Sequence, residues 1–394
     1  MPDNLDTAYV NHTSSTSVHQ DVLADLYERR WVGIHYGDIP SLNKEEWKSD
    51  HGYTTGGNAV GRLCDYAEEG KILSASYTGH PDLDGGRLVG TIGASDENED
   101  DDVLLIVCRN KRVEGQERGV VDYLRVKPGA DISEVEAEVG GLTTEAEQVV
   151  REAIGNDGFD EDDPDYRILK GLEFNDEVEW VWNRDFPGLW AANKRQTIAG
   201  WNTGKSHLYA AYYAACESKI DDMREVKDKL PDDENDDNIE DVGLLSEGQL
   251  EVLCSQYLRR KHTEYFETLP VGGSLSGVDI VARSEENEIL AQVTFTEDVE
   301  EKLRRLLSYA DHSTTDQNVR FYFFGPRKGK EGLGESIAGY PIEDIYMPIK
   351  DVYDKFESDD STIVDSSTEQ VAPTSILDQL LNVDLSDDNP PSFD

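Results

Sequence analysis

Short apolar runs broken by polar turns fill the first half of the chain. Strand-like stretches read WVGIHYG (Trp31–Gly37), KILSASY (Lys71–Tyr77), GRLVGTIG (Gly86–Gly93), DVLLIVCRN (Asp102–Asn110), VVDYLRVKPG (Val120–Gly129) and YRILKGLEF (Tyr166–Phe174). They are rich in β-branched and aromatic residues and are punctuated by Gly, Asn, Asp and Pro, as strands are. Apolar residues at helical spacing mark VHQDVLADLYERR (Val18–Arg30), GGNAVGRLCDYAEEG (Gly56–Gly70), a segment ahead of Tyr166, and HLYAAYYAACESKIDDMREVKDKL (His207–Leu230). An aromatic-rich stretch, Val178–Trp201, closes this half, and the loops DENEDDD and Phe159–Asp165 read as solvated. Residues 1 to about 18 are polar and are expected to fray, so 1–30 form an N-terminal arm and helix and 31–230 a strand-rich domain.

The second half changes character. PDDENDDNIED (Pro231–Asp241) cannot bury a core and reads as part of a linker over 231–245. A second domain spans 246–356: a helix in LSEGQLEVLCSQYLRRK, strands in GVDIVAR and ILAQVTF separated by the polar turn SEENE, a helix around Asp298–His312, and the strand VRFYFFG. Residues 357–394 read as an acidic disordered tail. Within it Ile376, Leu377, Leu380 and Leu381 make one short apolar helix, either a peptide that docks on a partner or a flap onto the chain's own surface.

Composition alters how partners are inferred. Asp and Glu number 83 against 37 Lys and Arg, a formal net charge of −46. The acid is spread along nearly every surface segment, which predicts a protein of an extreme halophile, an archaeal type of surface kept hydrated in a molar-salt cytoplasm. At that ionic strength the Debye length is only about 3 Å, so net charge does not exclude nucleic acid and local basic clusters carry the information. One cluster, Lys302, Arg304, Arg305, Arg320, Arg327, Lys328 and Lys330, has only Asp311 and Asp316 as acids between its members. It is either a phosphate-facing surface or a set of helix residues paired with acids such as Glu300 and Glu301. The four cysteines are scattered and form no CxxC, which argues against a structural zinc site. No signal-peptide pattern or membrane-length apolar run is present, so a soluble cytoplasmic protein is expected. GWNTGKS misses the phosphate-loop spacing, since Ala199 stands where the first glycine is required.

Candidate chemistry concentrates in the second domain. Glu251 lies on the first helix, Asp279 at the start of a strand, and Gln292 and Thr294 two apart on the next strand, hence on one face. Oxygen ligands so placed, Asp279 and Gln292 with Glu251, suit a hard divalent ion such as Mg²⁺, which polarises a phosphodiester and activates water. This pattern resembles the PD-(D/E)XK nuclease fold, in particular its Mrr-type restriction-endonuclease branch, on Glu251, Gly277, Asp279, Gln292 and the helix and strand that follow. The resemblance implies a restriction-endonuclease-like α/β domain, with Glu251, Asp279, Gln292 and Thr294 as the catalytic set. Thr294 departs from the family pattern, which has Lys there; a hydroxyl can hydrogen-bond but supplies no charge. The basic residues Lys302, Arg304, Arg305, Arg327 and Lys328 would then face nucleic acid.

In the first half, the order of WVGIHYG, a helix ending near Gly70, KILSASY and GRLVGTIG resembles PUA-like domains of the EVE kind, on Gly33, Ile34 and Gly90. The resemblance implies a small β-barrel with helices, within a mixed α/β and α+β protein. It also implies a pocket for a modified or flipped base, with Trp31, Tyr36, Trp182 and Trp190 stacking on it and Asp38 and Asn193 reading its edge. Together the two halves imply a DNA-binding, modification-sensing endonuclease acting in defence against foreign DNA. Two alternatives stay open: a nuclease-fold module that binds DNA without cutting it, and a protein-interaction adaptor. The oligomeric state is left open, a dimer included.

Overall fold

The computed structural model describes residues 6–12, 18–52, 54–93, 102–111, 117–155, 165–186, 188–189, 197–200, 205–217, 223–225, 244–269, 277–284, 287–294, 296, 299–312, 318–360, 376–381 and 390–393. The chain divides into two compact units, Met1–Asp221 with Asp228–Pro231 and Val383–Asp394, and Asp222–Lys227 with Asp232–Asn382. The acidic stretch Pro231–Asp241 lies outside the described residues. Both units are mixed α/β.

The first unit is built on eight strands: β1 (Thr7–His12), β2 (Trp31–Ile34), β3 (Lys71–Tyr77), β4 (Gly86–Ile92), β5 (Val103–Arg109), β6 (Gly119–Val126), β7 (Tyr166–Trp182) and β8 (Ile198–Gly200). Their order is β6-β5-β7-β4-β3-β1-β8, with β2 paired to β7. β7 carries the sheet, because its first part pairs with β5 and β2 and its second part with β4. Among the described residues the path is open, ending at β6 and β8, so the expected closed barrel is not formed. The unit's helices are α1 (Gln20–Glu28), α2 (Lys44–His51), α3 (Thr54–Glu69), α4 (Ile132–Glu138), α5 (Thr144–Gly155) and α6 (Lys205–Tyr212). Apolar residues of α1, α3 and α5 join one core with those of the strands, such as Leu26, Leu63, Val150, Ile106 and Leu169.

The N-terminal arm departs from expectation. Thr7–His12 is not frayed but a fully buried strand, parallel to β3 and antiparallel to β8. Its polar half misleads on a reading by hydropathy, because neighbours satisfy those groups. Ser76 Oγ donates to Asn11 Oδ1 at 2.8 Å, His12 Nδ1 meets Ser76 O at 2.8 Å, and Gly33 N donates to His12 Nε2 at 3.1 Å. Burial then holds the His12 imidazole neutral, its pKa pushed down to about 4.

The second unit carries a five-stranded sheet, β9 (Phe266–Leu269), β10 (Ile280–Arg283), β11 (Asn287–Val293), β12 (Asn318–Gly325) and β15 (Tyr346–Pro348), with the small hairpin β13 (Ser336–Ile337) and β14 (Tyr340–Pro341) apart from it. Strands β9, β10 and β11 run antiparallel in turn; β12 is parallel to β11 and β15 parallel to β12. The sheet is flanked by α7 (Glu247–Lys261), α8 (Val299–Leu307), α9 (Arg327–Glu331), α10 (Ile342–Ile345) and α11 (Ile349–Asp360). Alternation assigns the faces. Val281 and Leu290 pack with Leu303 and Leu306 of α8, while Ile280, Ala282 and Ile289 meet Ser255 and Leu258 of α7. The two helices therefore cover opposite faces. Helix α7 begins at a capping box: Gln249 N donates to Ser246 Oγ at 3.2 Å, and Ser246 N to Gln249 Oε1 at 2.8 Å.

The tail's apolar helix, α12 (Ile376–Leu381), lies on its own unit: Leu377 and Leu381 are buried, Gln249 Nε2 donates to Leu380 O at 2.7 Å, and Arg224 pairs with Asp378. The tail also begins later than expected, since α11 runs to Asp360. Among the described residues no helix is long and apolar enough to cross a membrane.

Candidate active site

The β10–β11 hairpin brings the sequence candidates together. Asp279 stands one residue before β10 and extends its register, its N–H donating to Ala291 O at 2.8 Å. Its carboxylate therefore faces Gln292: Gln292 Nε2 donates to Asp279 Oδ2 at 2.5 Å, and Val293 N donates to the same oxygen at 2.7 Å. Gly277, with φ +84, allows the turn into this position, and any Cβ there would meet Arg305 Cδ at 2.8 Å. Burial pushes the Asp279 carboxyl up, as does Glu247, while the Val293 N–H and the Lys302 ammonium pull it back.

Thr294, where the resemblance leads one to expect Lys, is not without a cation. Lys302, on α8, donates from Nζ to Thr294 Oγ1 at 2.5 Å. The hydroxyl of Thr296 lies 3.2 Å from that of Thr294 and completes the small polar cluster. A lysine ammonium thus occupies the neighbourhood of Thr294 and bears electrostatically on Asp279, but it is delivered by a helix rather than by β11. Sequence reading placed Lys302 on an outer basic surface and missed this. The signal was available: Lys302 is three after Val299 and four before Leu306, so it falls on the buried stripe of an amphipathic helix.

Glu251 sits half-buried on α7, one turn before Cys254. The Cys254 thiol is fully buried, and its pKa is raised by burial and then by the charges of Glu251 and Asp279. Both carboxylates therefore act on one thiol from different elements. For a hard cation the fit rests on oxygen donors. Gln292 Oε1 is buried with no hydrogen-bond partner, and Asp279 Oδ2 lies next to the same amide. An unpartnered buried acceptor costs about 1–3 kcal/mol, and a cation or water would relieve it. These two side chains fit Mg²⁺ chemically. Among the described residues, however, no group of three or more His, Cys, Asp or Glu side chains is placed to hold a metal ion.

Three arginines of the basic cluster are paired with acids. Arg304 is held by Glu300 at 2.6 and 2.9 Å, Arg305 by Glu301 at 3.0 Å, and Arg327 by Asp351 at 2.9 Å. Helical spacing supplied the acids for Arg304 and Arg305, as the second of the two expected readings has it, while Arg327 finds its acid on α11. Exposed pairs of this kind are worth about 0.3–0.5 kcal/mol, so they do not lock the guanidinium groups away. Lys328 and Arg320 are exposed.

Of the residues expected to line a base pocket, Trp31 and Asp38 are buried. Trp31 is 3% exposed and belongs to the core, with Tyr123 edge-on at 4.7 Å. Its strand is buried at every position, so its ring is packing rather than a platform. Replacing Trp31 by Ala should cost about 3–5 kcal/mol of stability, as for other buried aromatics, and a thermal or urea melt would show it. Asp38 is likewise committed internally, to His35 Nε2 at 3.0 Å and Arg167 at 3.3 Å. Burial raises its carboxyl, but His35, Arg167 and Lys170 outweigh this and hold it below the usual range. Tyr36 donates to Thr197 Oγ1 at 3.2 Å, and Trp182 is half-buried beneath the Arg184 guanidinium, 5.4 Å from its ring centroid. Trp190 and Asn193 lie outside the described residues. Sequence reading also missed Lys170, a fully buried amine in β7 that donates to Gly37 O at 2.8 Å and lies over the Trp47 ring.

Compared with family models, curated proteins and solved structures, the chain matches none.

Proposed function

We propose that the second unit is a phosphodiester-cleaving core of the PD-(D/E)XK type that acts on DNA, with Lys302 serving in place of a lysine at Thr294. The observation that carries this reading is the cluster of Asp279, Gln292 and Thr294 on one edge of a β-hairpin with the Lys302 ammonium 2.5 Å from Thr294 Oγ1. The order helix, three antiparallel strands, helix, parallel strand supports it as well.

Asp279 and the free oxygen of Gln292 would hold a magnesium ion, with Glu251 on α7 as the further carboxylate. Such an ion, when bound, supplies Lewis-acid polarisation of the phosphodiester and an activated water. The protein's own part is positional and electrostatic. The Gln292 amide and Val293 N–H orient the Asp279 carboxylate. Thr294 fixes the Lys302 ammonium, which offsets the negative charge that builds on the phosphoryl oxygens. Arg320 and Lys328 would contact the backbone. In molar salt counterion release drives little, so binding leans on hydrogen bonds and shape.

We further propose that the first unit is a PUA-like reader of a DNA base, the pair acting in a halophile's defence against foreign DNA. This part rests on the half-buried rings of Tyr36 and Trp182. A second reading, a DNA-binding module without cleavage, is favoured by one observation: the Oδ2 oxygen of Asp279 already accepts from two N–H donors.

Incubating the protein with modified and unmodified plasmid in molar KCl, with Mg²⁺ or Mn²⁺, separates the two. The nuclease reading expects nicking or cleavage that falls to background in Asp279→Ala while the fold is kept. Metal-independent binding with no cleavage by the wild type would establish the module instead. Equal cleavage in Asp279→Ala would remove the proposed site altogether.

A further inference from the structure

The last described residues of the chain, Pro390–Phe393, lie against an aromatic recess of the first unit. Tyr27 of α1 donates from its hydroxyl to Pro391 O at 3.1 Å. The Phe393 ring stands edge-on to Tyr27 at 5.9 Å and to His80 at 4.9 Å, and packs against the unit's core. These are the geometries that favour aromatic pairs.

The recess is held in shape by contacts that do not involve the tail. Tyr27 is bracketed edge-on by Tyr77 at 6.0 Å and Trp180 at 5.2 Å. Trp180 in turn meets Trp182 at 5.5 Å. It lies so close over β4 that a Cβ on Gly86 would fall 2.1 Å from its ring, so only glycine admits it. The His80 ring is fixed because its Nδ1 accepts from Asp82 N at 3.2 Å, capping the turn Pro81–Leu83. The receptor side is therefore preformed. The ligand side is stiff as well, since consecutive prolines fix φ and hold an extended conformation with little entropy left to lose. Aromatic-lined grooves that take proline-rich segments work in this way.

We propose that this recess is a binding site for a Pro-Pro-x-Phe peptide segment, filled in cis by the chain's own C-terminal residues Pro390–Phe393. The hydroxyl of Tyr27 reads the backbone carbonyl of the second proline, and the Tyr27 and His80 rings read the phenyl group two residues on. Tethering gives the segment an effective concentration of about millimolar, so even a modest intrinsic affinity keeps the site closed to the same sequence on another molecule.

The test uses two forms in which the site is opened: the chain ended after Asn389, which lacks the whole segment, and the Phe393→Ala variant, which lacks the phenyl ring. A fluorescein-labelled peptide of Asp387–Asp394 is titrated into each in molar KCl and followed by polarisation, with circular dichroism to confirm the fold. The expected result is saturable binding to both open forms, at least tenfold weaker for the wild-type chain. A Phe393→Ala peptide, or Tyr27→Ala in the truncated protein, should also lose at least tenfold. Absence of binding to the folded open forms would overturn the proposal, and so would equal binding to the wild-type chain, which would mean that the tail does not occupy the recess.

Discussion

Replacing Lys302 by Met should reduce the proposed metal-dependent DNA cleavage by about 10²–10³-fold, the usual cost of removing one preorganised electrostatic contact to a developing anion. Adding Thr294→Lys to that variant should restore much of the loss. The argument is positional. Lys302 Nζ is already within hydrogen-bond distance of Thr294 Oγ1, so a lysine issuing from position 294 would find its ammonium near the same point once Lys302 is gone. In the wild-type background Thr294→Lys should instead be harmful, because two ammonium groups would compete for one small half-buried site. Lys302→Arg should rescue less than the double variant, since a planar fork does not replace a compact point charge. The reciprocal pattern is what identifies a shared role; a purely structural lysine would lower stability in every background, and Thr294→Lys would not repair it. Full activity in Lys302→Met would refute the assignment.

How much of this could be read from the chain depends on where the signal is local. The hairpin of GVDIVAR and ILAQVTF is local: period-two alternation and a polar turn put Asp279 opposite Gln292, and the structure has them so placed. The role of Lys302 is not local to β11, because it comes from the next helix, and only the interruption of that helix's apolar stripe marks it. The first strand shows the opposite failure. Thr7–His12 looks too polar to bury, yet the Ser76, Asn11 and His12 groups satisfy one another across β1 and β3, a compensation visible only once the pairing is known. Trp31 failed for a third reason. Base stacking and core packing ask for the same residue type, and the burial of its whole strand decides between them. The arginines of α8 carried their own answer, since Glu300 and Glu301 stand four residues before Arg304 and Arg305.

Lys170 supplies the second large expected effect, on stability. Its side chain is fully buried, and burial brings the amine down from 10.5 to about 7, against a smaller opposing pull from Asp38. The folded pKa thus lies below the unfolded one. Between about pH 7 and 10 the unfolded chain binds more protons at this site, so stability should rise with pH through that window. Below pH 7 the penalty of the buried charge is present in full. A shift of this size corresponds to about 5 kcal/mol as an upper figure. Lys170→Met removes the titrating group. It also leaves Gly37 O without this donor and takes the ammonium from over Trp47, which offsets part of the gain. The absolute change at one pH is therefore less decisive than the difference between variant and wild type as pH varies. Buried thiols such as Cys108 also titrate at high pH, but they are common to both proteins and cancel in that difference. Urea unfolding in molar KCl at pH 6, 8 and 10 should find the variant's advantage greatest at pH 6 and shrinking by several kcal/mol towards pH 10. Parallel pH profiles for the two proteins would mean that Lys170 keeps an ordinary amine pKa, and that Asp38 and the Gly37 carbonyl solvate its charge well enough to make the burial nearly free.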